Sequence, residues 1–211
     1  MSRRVRVKFC GFTRVQDVHP AVALGVDAVG LVLTPRSKRC IDMPTALAIR
    51  TALPPFVSVV ALFMDDEPDH IRRAVQTLKP DLLQFHGAED AADCMRYGCR
   101  YLKAIAMGSV VDVAAAMAAH PAAAAFLLDS HVAGGAGGSG AVFDWTQAPR
   151  EAARAIVLAG GLTCDNVGPA IRAVRPYAVD VSSGIESAPG IKDADKMRRF
   201  IEEVERAGSQ S

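Results

Sequence analysis

Eight short runs rich in Val, Leu, Ile and Ala recur along the chain, separated by segments with helical spacing, and they are continuously apolar rather than alternating. A strand with one face in water alternates apolar and polar residues, whereas a strand covered on both faces does not. These runs therefore describe a parallel sheet with helices laid against it. They fall at Val5–Cys10, Asp27–Leu33, Val57–Phe63, Leu82–Phe85, Tyr101–Ala106, Ala125–Asp129, Ala155–Ala159 and Ala178–Val181. The helical patterns lie at Val15–Leu24, Thr45–Leu53, Ile71–Leu78, Ala91–Tyr97, Val111–Ala119, Asn166–Val174 and Ala194–Arg206. In the last of these, Met197, Phe200, Ile201 and Val204 form one stripe. Thr163 is a cap candidate for Asn166–Val174, and Asp66 with Pro68 offers a cap and first turn ahead of Ile71.

Eight strand–helix units in 211 residues can close on themselves, because right-handed crossovers place every helix outside and closure removes both sheet edges. The expectation is an α/β protein forming a single (β/α)8 TIM barrel over residues 1–211. An open doubly wound sheet shares the alternation, but it usually has fewer strands, and no G-x-G-x-x-G follows the first run. No composition break marks a second domain, and Arg206–Ser211 reads as a frayed end.

Twenty-four basic against twenty-three acidic residues leave a net charge of +1, so no global field recruits nucleic acid or an anionic membrane. Any anion must be held by a local site. The apolar stretch Ala52–Met64 is too short to span a bilayer and is broken by Pro54 and Pro55. The arginines of the N-terminus lead into Lys8-Phe9-Cys10-Gly11 rather than a signal-peptide core, and the five cysteines include no C-x-x-C pair. A cytoplasmic protein with neither membrane nor nucleic-acid partners is expected, as a monomer or a homodimer.

Ligands of such barrels sit at the C-terminal strand ends, so position is the first filter for function. The strand period sends Lys8 and Cys10 to one face and Phe9 to the other. The Cys10 thiol is a base or nucleophile if Lys8 lowers its pKa, or else a small buried hydrophobe. Asp129 ends a wholly apolar run before a glycine-rich loop. At a desolvated mouth its proton affinity should rise, which suits a general acid, although a loop-anchoring role is the alternative. Gly160 and Gly161, with Ser182, Ser183 and Gly184 after Asp180, offer unobstructed amides and hydroxyls where barrels of this class often hold phosphate. Arg36 could fork onto a carboxylate or simply be solvated, as Lys38 and Arg39 beside it are expected to be. His86 is the only histidine at an expected strand end. The other four lie on helices or loops, which leaves no visible source for a His/Asp metal cage, so neither metal nor cofactor is expected. Gly134–Gly140 is too irregular for a nucleotide fingerprint and reads as a lid.

In order, the chain carries Lys8-Phe9-Cys10-Gly11-Phe12-Thr13, Thr34-Pro35-Arg36, Gln84-Phe85-His86-Gly87, Leu127-Leu128-Asp129-Ser130, Gly137-Gly138-Ser139-Gly140 with Phe143-Asp144-Trp145, Ala159-Gly160-Gly161-Leu162, Asp180-Val181-Ser182-Ser183-Gly184-Ile185-Glu186, and Pro189-Gly190-Ile191-Lys192-Asp193. Along nearly its whole length it resembles the phosphoribosylanthranilate isomerases of tryptophan biosynthesis. Phe9 and Phe12 replace the usual isoleucines, Ser139 the usual threonine, and Gly134-Gly135-Ala136 lengthens the sixth loop. The resemblance implies an Amadori rearrangement of N-(5-phosphoribosyl)anthranilate without cofactor or metal. It makes Asp129 the general acid that opens the furanose ring and Cys10 the general base at C2′. It further implies Arg36 for the anthranilate carboxylate, Gly160, Gly161, Ser182, Ser183 and Gly184 for the phosphate, Asp180 for substrate hydroxyls or the secondary amine, and His86 as a further contact. The related Amadori isomerase of histidine synthesis uses two aspartates, so the thiol at Cys10 speaks against it. A metal-dependent pentose-phosphate epimerase lacks ligands, and a silent phosphometabolite-binding barrel would have lost Cys10 or Asp129.

Overall fold

The computed structural model describes residues 4–110, 112–132, 142–149 and 152–209. The apolar runs become eight parallel strands closed into a barrel in chain order. These are β1 (Arg6–Cys10), β2 (Ala28–Val32), β3 (Ser58–Phe63), β4 (Leu82–Phe85), β5 (Tyr101–Ala106), β6 (Ala125–Asp129), β7 (Ala155–Leu158) and β8 (Ala178–Val181). Around them lie α1 (Val18–Ala23), α2 (Met43–Ala52), α3 (Pro68–Leu78), α4 (Ala91–Met95), α5 (Val113–Ala118), α6 (Val167–Val174) and α7 (Ala194–Ser209). A short antiparallel hairpin, β9 (Glu186–Ala188) with β10 (Ile191–Lys192), follows β8; the sequence reading did not anticipate it. The glycine-rich stretch expected to act as a lid lies outside the described residues. No helix among the described residues is long and apolar enough to cross a membrane.

Local chemistry sets the helix starts. Asp42 and Asp90 accept hydrogen bonds from the backbone N–H of Thr45 (3.0 Å) and Asp93 (2.8 Å), capping α2 and α4. Two expected caps are corrected. Glu67 occupies the cap position of α3, because Asp66 turns back to accept from Met64 N–H at 2.8 Å. Asn166 occupies that of α6, its side chain accepting from Thr163 N–H at 2.8 Å. Residues 206–209 of the expected frayed end are helical: α7 continues to Ser209 with Ala207 and Gly208 buried.

Strand alternation divides the core in two. Outward residues such as Phe9, Leu31, Phe63, Phe85 and Leu128 pack under the helices, with Phe9 edge-on to Phe200 of α7 at 6.1 Å between ring centroids. Inward residues fill the barrel, with Val60, Leu102, Leu127 and Val157 in one layer and Cys10, Val32 and Leu62 nearer the C-terminal mouth. The same inward parity on β1, β4, β6 and β8 carries Lys8, Gln84, Asp129 and Asp180, all buried. Gly30 on β2 makes room for them: a Cβ there would lie 2.6 Å from Cys10 Sγ and 3.0 Å from Lys8 Nζ. Closure at β1–β8 sets Lys8 opposite Asp180 in register.

Candidate active site

At the C-terminal end of the barrel is an open-mouthed cavity, with about 740 Å³ of empty space when the open solvent at its mouth is included. Cys10, Arg36, His86, Asp129, Gly160, Gly161, Asp180, Ser182 and Ser183 all line it. Gly184 does not line this cavity; a Cβ there would collide with the Leu162 carbonyl, so its bareness lets the loop after β8 approach the loop after β7. Gly160 and Gly161 adopt φ of +80° and +62°, a left-handed turn that side chains disfavour. The Ser182 hydroxyl is buried with no partner among the described residues. Arg36 is exposed at the rim, and no described residue pairs with it.

Lys8 Nζ donates to Asp180 Oδ1 at 2.9 Å, and both side chains are buried. Burial draws the Lys8 amine down, but Asp180 and then Cys10 more than offset it and hold Lys8 above an ordinary lysine. Lys8 does act to lower the Cys10 thiol, as the sequence allowed, but burial outweighs it and leaves the thiol above its ordinary value.

The proton affinity of Asp129 also runs opposite to expectation. Burial raises it, but His131 and His86 together hold the carboxyl below the ordinary range. His131 follows two residues after the end of β6. Its backbone N–H donates to Asp129 Oδ1 at 3.0 Å, and its Nδ1 lies 3.2 Å from the same oxygen without hydrogen-bond geometry. His86 Nε2 lies 3.8 Å from Asp129 Oδ2, and the two imidazoles stack at 4.3 Å. Burial brings His86 down to about 4, with His131, Lys8 and Lys103 contributing against the pull of Asp129. A His/Asp cluster is therefore present where none was visible in the sequence. The period that pairs Lys8 with Cys10 also places His131 with Asp129, and that was the signal available.

Arg39 is not a solvated cation. Its Nε and Nη2 donate to Glu186 at 2.8 and 2.6 Å, and the guanidinium lies at the cavity wall. Lys192 Nζ completes this group, donating to Glu186 Oε1 at 2.8 Å and to the Cys10 carbonyl at 2.5 Å. Glu186 and Lys192 come from the unanticipated hairpin, whose contribution is to fasten the loop after β8 to the base of the Cys10 strand end.

Residues 7–203 match the family model described as N-(5'phosphoribosyl)anthranilate (PRA) isomerase. An N-(5'-phosphoribosyl)anthranilate isomerase of Stenotrophomonas maltophilia (strain R551-3) is 50% identical over 212 aligned positions, covering 98% of this chain and 97% of that protein. The phosphoribosyl anthranilate isomerase structure from Thermotoga maritima superposes with a TM-score of 0.86 at 38% identity, covering 96% of this chain and 99% of that one. A further phosphoribosyl anthranilate isomerase structure, in complex with reduced 1-(o-carboxyphenylamino)-1-deoxyribulose 5-phosphate, matches with a TM-score of 0.81 at 36% identity, covering 96% and 99% of the two chains. This chain belongs to the N-(5'-phosphoribosyl)anthranilate isomerase family.

Proposed function

We propose that the chain isomerises N-(5-phosphoribosyl)anthranilate to 1-(2-carboxyphenylamino)-1-deoxyribulose 5-phosphate in tryptophan biosynthesis, by proton transfers from Asp129 and to Cys10. The observation that carries the reading is that a thiol and a carboxyl on inward strand positions line one cavity together with the glycine turn after β7 and the serines after β8. That set matches an acid, a base and a phosphate seat for a phosphosugar.

Asp129 donates a proton to the furanose ring oxygen, the C1′–O bond breaks, and the anthranilate nitrogen becomes a protonated Schiff base. Two anionic groups arrive with the substrate, and like charge nearby favours the protonated form of a carboxyl that the protein alone holds ionised. The iminium supplies the positive charge that a buried, raised thiol needs before it ionises, so ring opening precedes base action. The thiol proton passes by way of solvent to the Asp129 carboxylate that ring opening left behind, which recharges the acid. The Cys10 thiolate then takes the C2′ proton, and the electron pair moves into C1′–C2′ to neutralise the iminium nitrogen. Ketonisation, in which C1′ gains a proton as the C2′ hydroxyl releases one, yields the product with both groups protonated as at the start.

The Gly160–Gly161 amides and the Ser182 and Ser183 hydroxyls and amides seat the phosphate, with Gly184 allowing the loops to close on it. Arg36, exposed at the rim after β2 and with no pairing partner among the described residues, receives the anthranilate carboxylate. Asp180, anchored through one oxygen by Lys8, presents the other to substrate hydroxyls or the secondary amine, and His86 flanks the ring. Every named group comes from one chain, so a monomer or each half of a homodimer carries a whole site. The test is incubation of purified protein with enzymatically generated phosphoribosylanthranilate, following loss of anthranilate fluorescence with and without chelator. Turnover unaffected by chelator supports the reading, and no fluorescence change overturns it.

A further inference from the structure

One ring nitrogen each of His86 and His131 and one carboxylate oxygen of Asp129 all lie within 4.8 Å of one another, on three buried side chains from the ends of β4 and β6. His86 Nε2 and His131 Nδ1, the ring nitrogens beside that carboxylate, have no hydrogen-bond partner among the described residues, and burying such atoms unsatisfied costs stability. The same atoms are ligands for a cation. A tetrahedral ion with bonds of about 2.0–2.2 Å needs donor atoms roughly 3.3–3.5 Å apart. His131 Nδ1 lies 3.2 Å from Asp129 Oδ1 and His86 Nε2 lies 3.8 Å from Asp129 Oδ2, so each ring faces a different oxygen at near that spacing and a small turn of the carboxylate is needed to present one oxygen to both.

The neighbouring side chain fits this use as well. The Gln84 amide nitrogen lies 3.2 Å from His86 Nδ1, and its oxygen is buried and unpartnered. Turning the amide half a revolution lets Oε1 accept from Nδ1–H, which fixes the tautomer whose Nε2 lone pair is free, the usual outer arrangement around a metal-binding histidine. Two imidazoles and one carboxylate suit zinc, cobalt or nickel rather than magnesium or calcium. The rings stack 29° apart, so ligation requires them to rotate toward a common point. Such an ion would keep its fourth position toward the cavity that His86 and Asp129 line.

We propose that His86, Asp129 and His131 form a three-ligand site for a borderline-soft divalent ion such as Zn²⁺, placed so that occupancy ties up Asp129 and blocks the isomerase reaction. The ion would act as an inhibitor that substrate must displace, and not as a cofactor. The inhibitory half rests on the isomerase reading, whereas the binding half does not, and the two are separable by experiment.

Chelator-treated protein is titrated with Zn²⁺ by calorimetry and with Co²⁺ by visible absorption, in wild type and in His131→Asn, His86→Asn and Cys10→Ser, with circular dichroism confirming each fold. One equivalent should bind with a tetrahedral cobalt spectrum, Mg²⁺ should not displace it, and either histidine change should weaken it at least tenfold. Cys10→Ser should leave it in place. No binding, or binding that both histidine variants keep, overturns the proposal, as does loss in Cys10→Ser alone, which would put the ion on a thiol. If one histidine variant fails to fold, the other decides. Zinc that binds as expected but leaves turnover unchanged contradicts only the inhibitory half and the role of Asp129.

Discussion

Lys8 Nζ and Asp180 Oδ1 meet at 2.9 Å across the seam where β8 closes on β1, joining residues 172 positions apart in the sequence. The pair lies inside the barrel, beneath Cys10, with 5% and 8% of the two side chains exposed. Removing one partner leaves the other charge buried and alone, at a cost of about 3 kcal/mol or more, whereas an apolar pair of similar volume can be neutral. Lys8→Met should therefore lower Tm by roughly 6–12 °C for a protein of this size. Lys8→Met combined with Asp180→Leu should recover stability without recovering activity. Calorimetry of both variants checks it, and an unchanged Tm in the single variant contradicts it.

Glu186 makes a prediction about acid. Burial raises its carboxyl, but Arg39 and Lys192 outweigh burial and hold it below the ordinary glutamate value. A group depressed on folding contributes stability that is present above its unfolded pKa, about 4.3, and that is lost as pH falls through the folded value. Glu186→Gln should be less stable than wild type by a constant margin from pH 7 to about 5, and the margin should shrink below about pH 4. Urea midpoints across that range measure it. A margin that grows on acidification would contradict the assignment.

Cys10 and Asp129 together set the kinetic pH dependence. Burial raises the thiol and the neighbouring histidines hold the carboxyl down, so the form with Asp129 protonated and Cys10 ionised has as many protons as the resting form and is a small, constant share of the protein between the two titrations. kcat/KM in the wild type should therefore stay level from about pH 6 to about pH 8 and fall only where one of the two groups titrates. A steady rise of about tenfold per unit from pH 7 upward would mean that thiol ionisation alone limits the reaction and would remove Asp129 from the role of acid.

Arg36 tests the carboxylate contact. Lysine keeps the charge but not the planar fork, so Arg36→Lys should weaken binding of a carboxyphenylamino product analogue by about 1.5–3 kcal/mol while leaving a simple sugar phosphate unaffected. Two affinities, each in wild type and variant, decide it. Equal losses would place Arg36 on the phosphate.

The strands were legible because each is a continuous apolar run: β4, β5, β6 and β8 begin and end where the sequence places them, and the other four differ by a residue or two. Inward parity was legible for Lys8 and Cys10 for the same reason, since two residues per repeat is a property of the strand itself. Pairings across long separations were not. Arg39 reads as a loop cation until Glu186, far along the chain, is folded against it, and β9 and β10 are too short to carry a periodic signal. The proton affinity of Asp129 had the wrong sign, and that of Cys10 stayed open, because each is a balance between burial and neighbours. His131 was overlooked beside Asp129, and the burial of Cys10 outweighs Lys8.

The central claim is that Asp129 gives a proton and Cys10 takes one, and steady-state kinetics on phosphoribosylanthranilate with Asp129→Asn and Cys10→Ser tests it most directly. Each variant should lower kcat by at least about a hundredfold, the scale of general acid and base groups, while KM changes far less. Near-normal kcat in either variant would contradict the account.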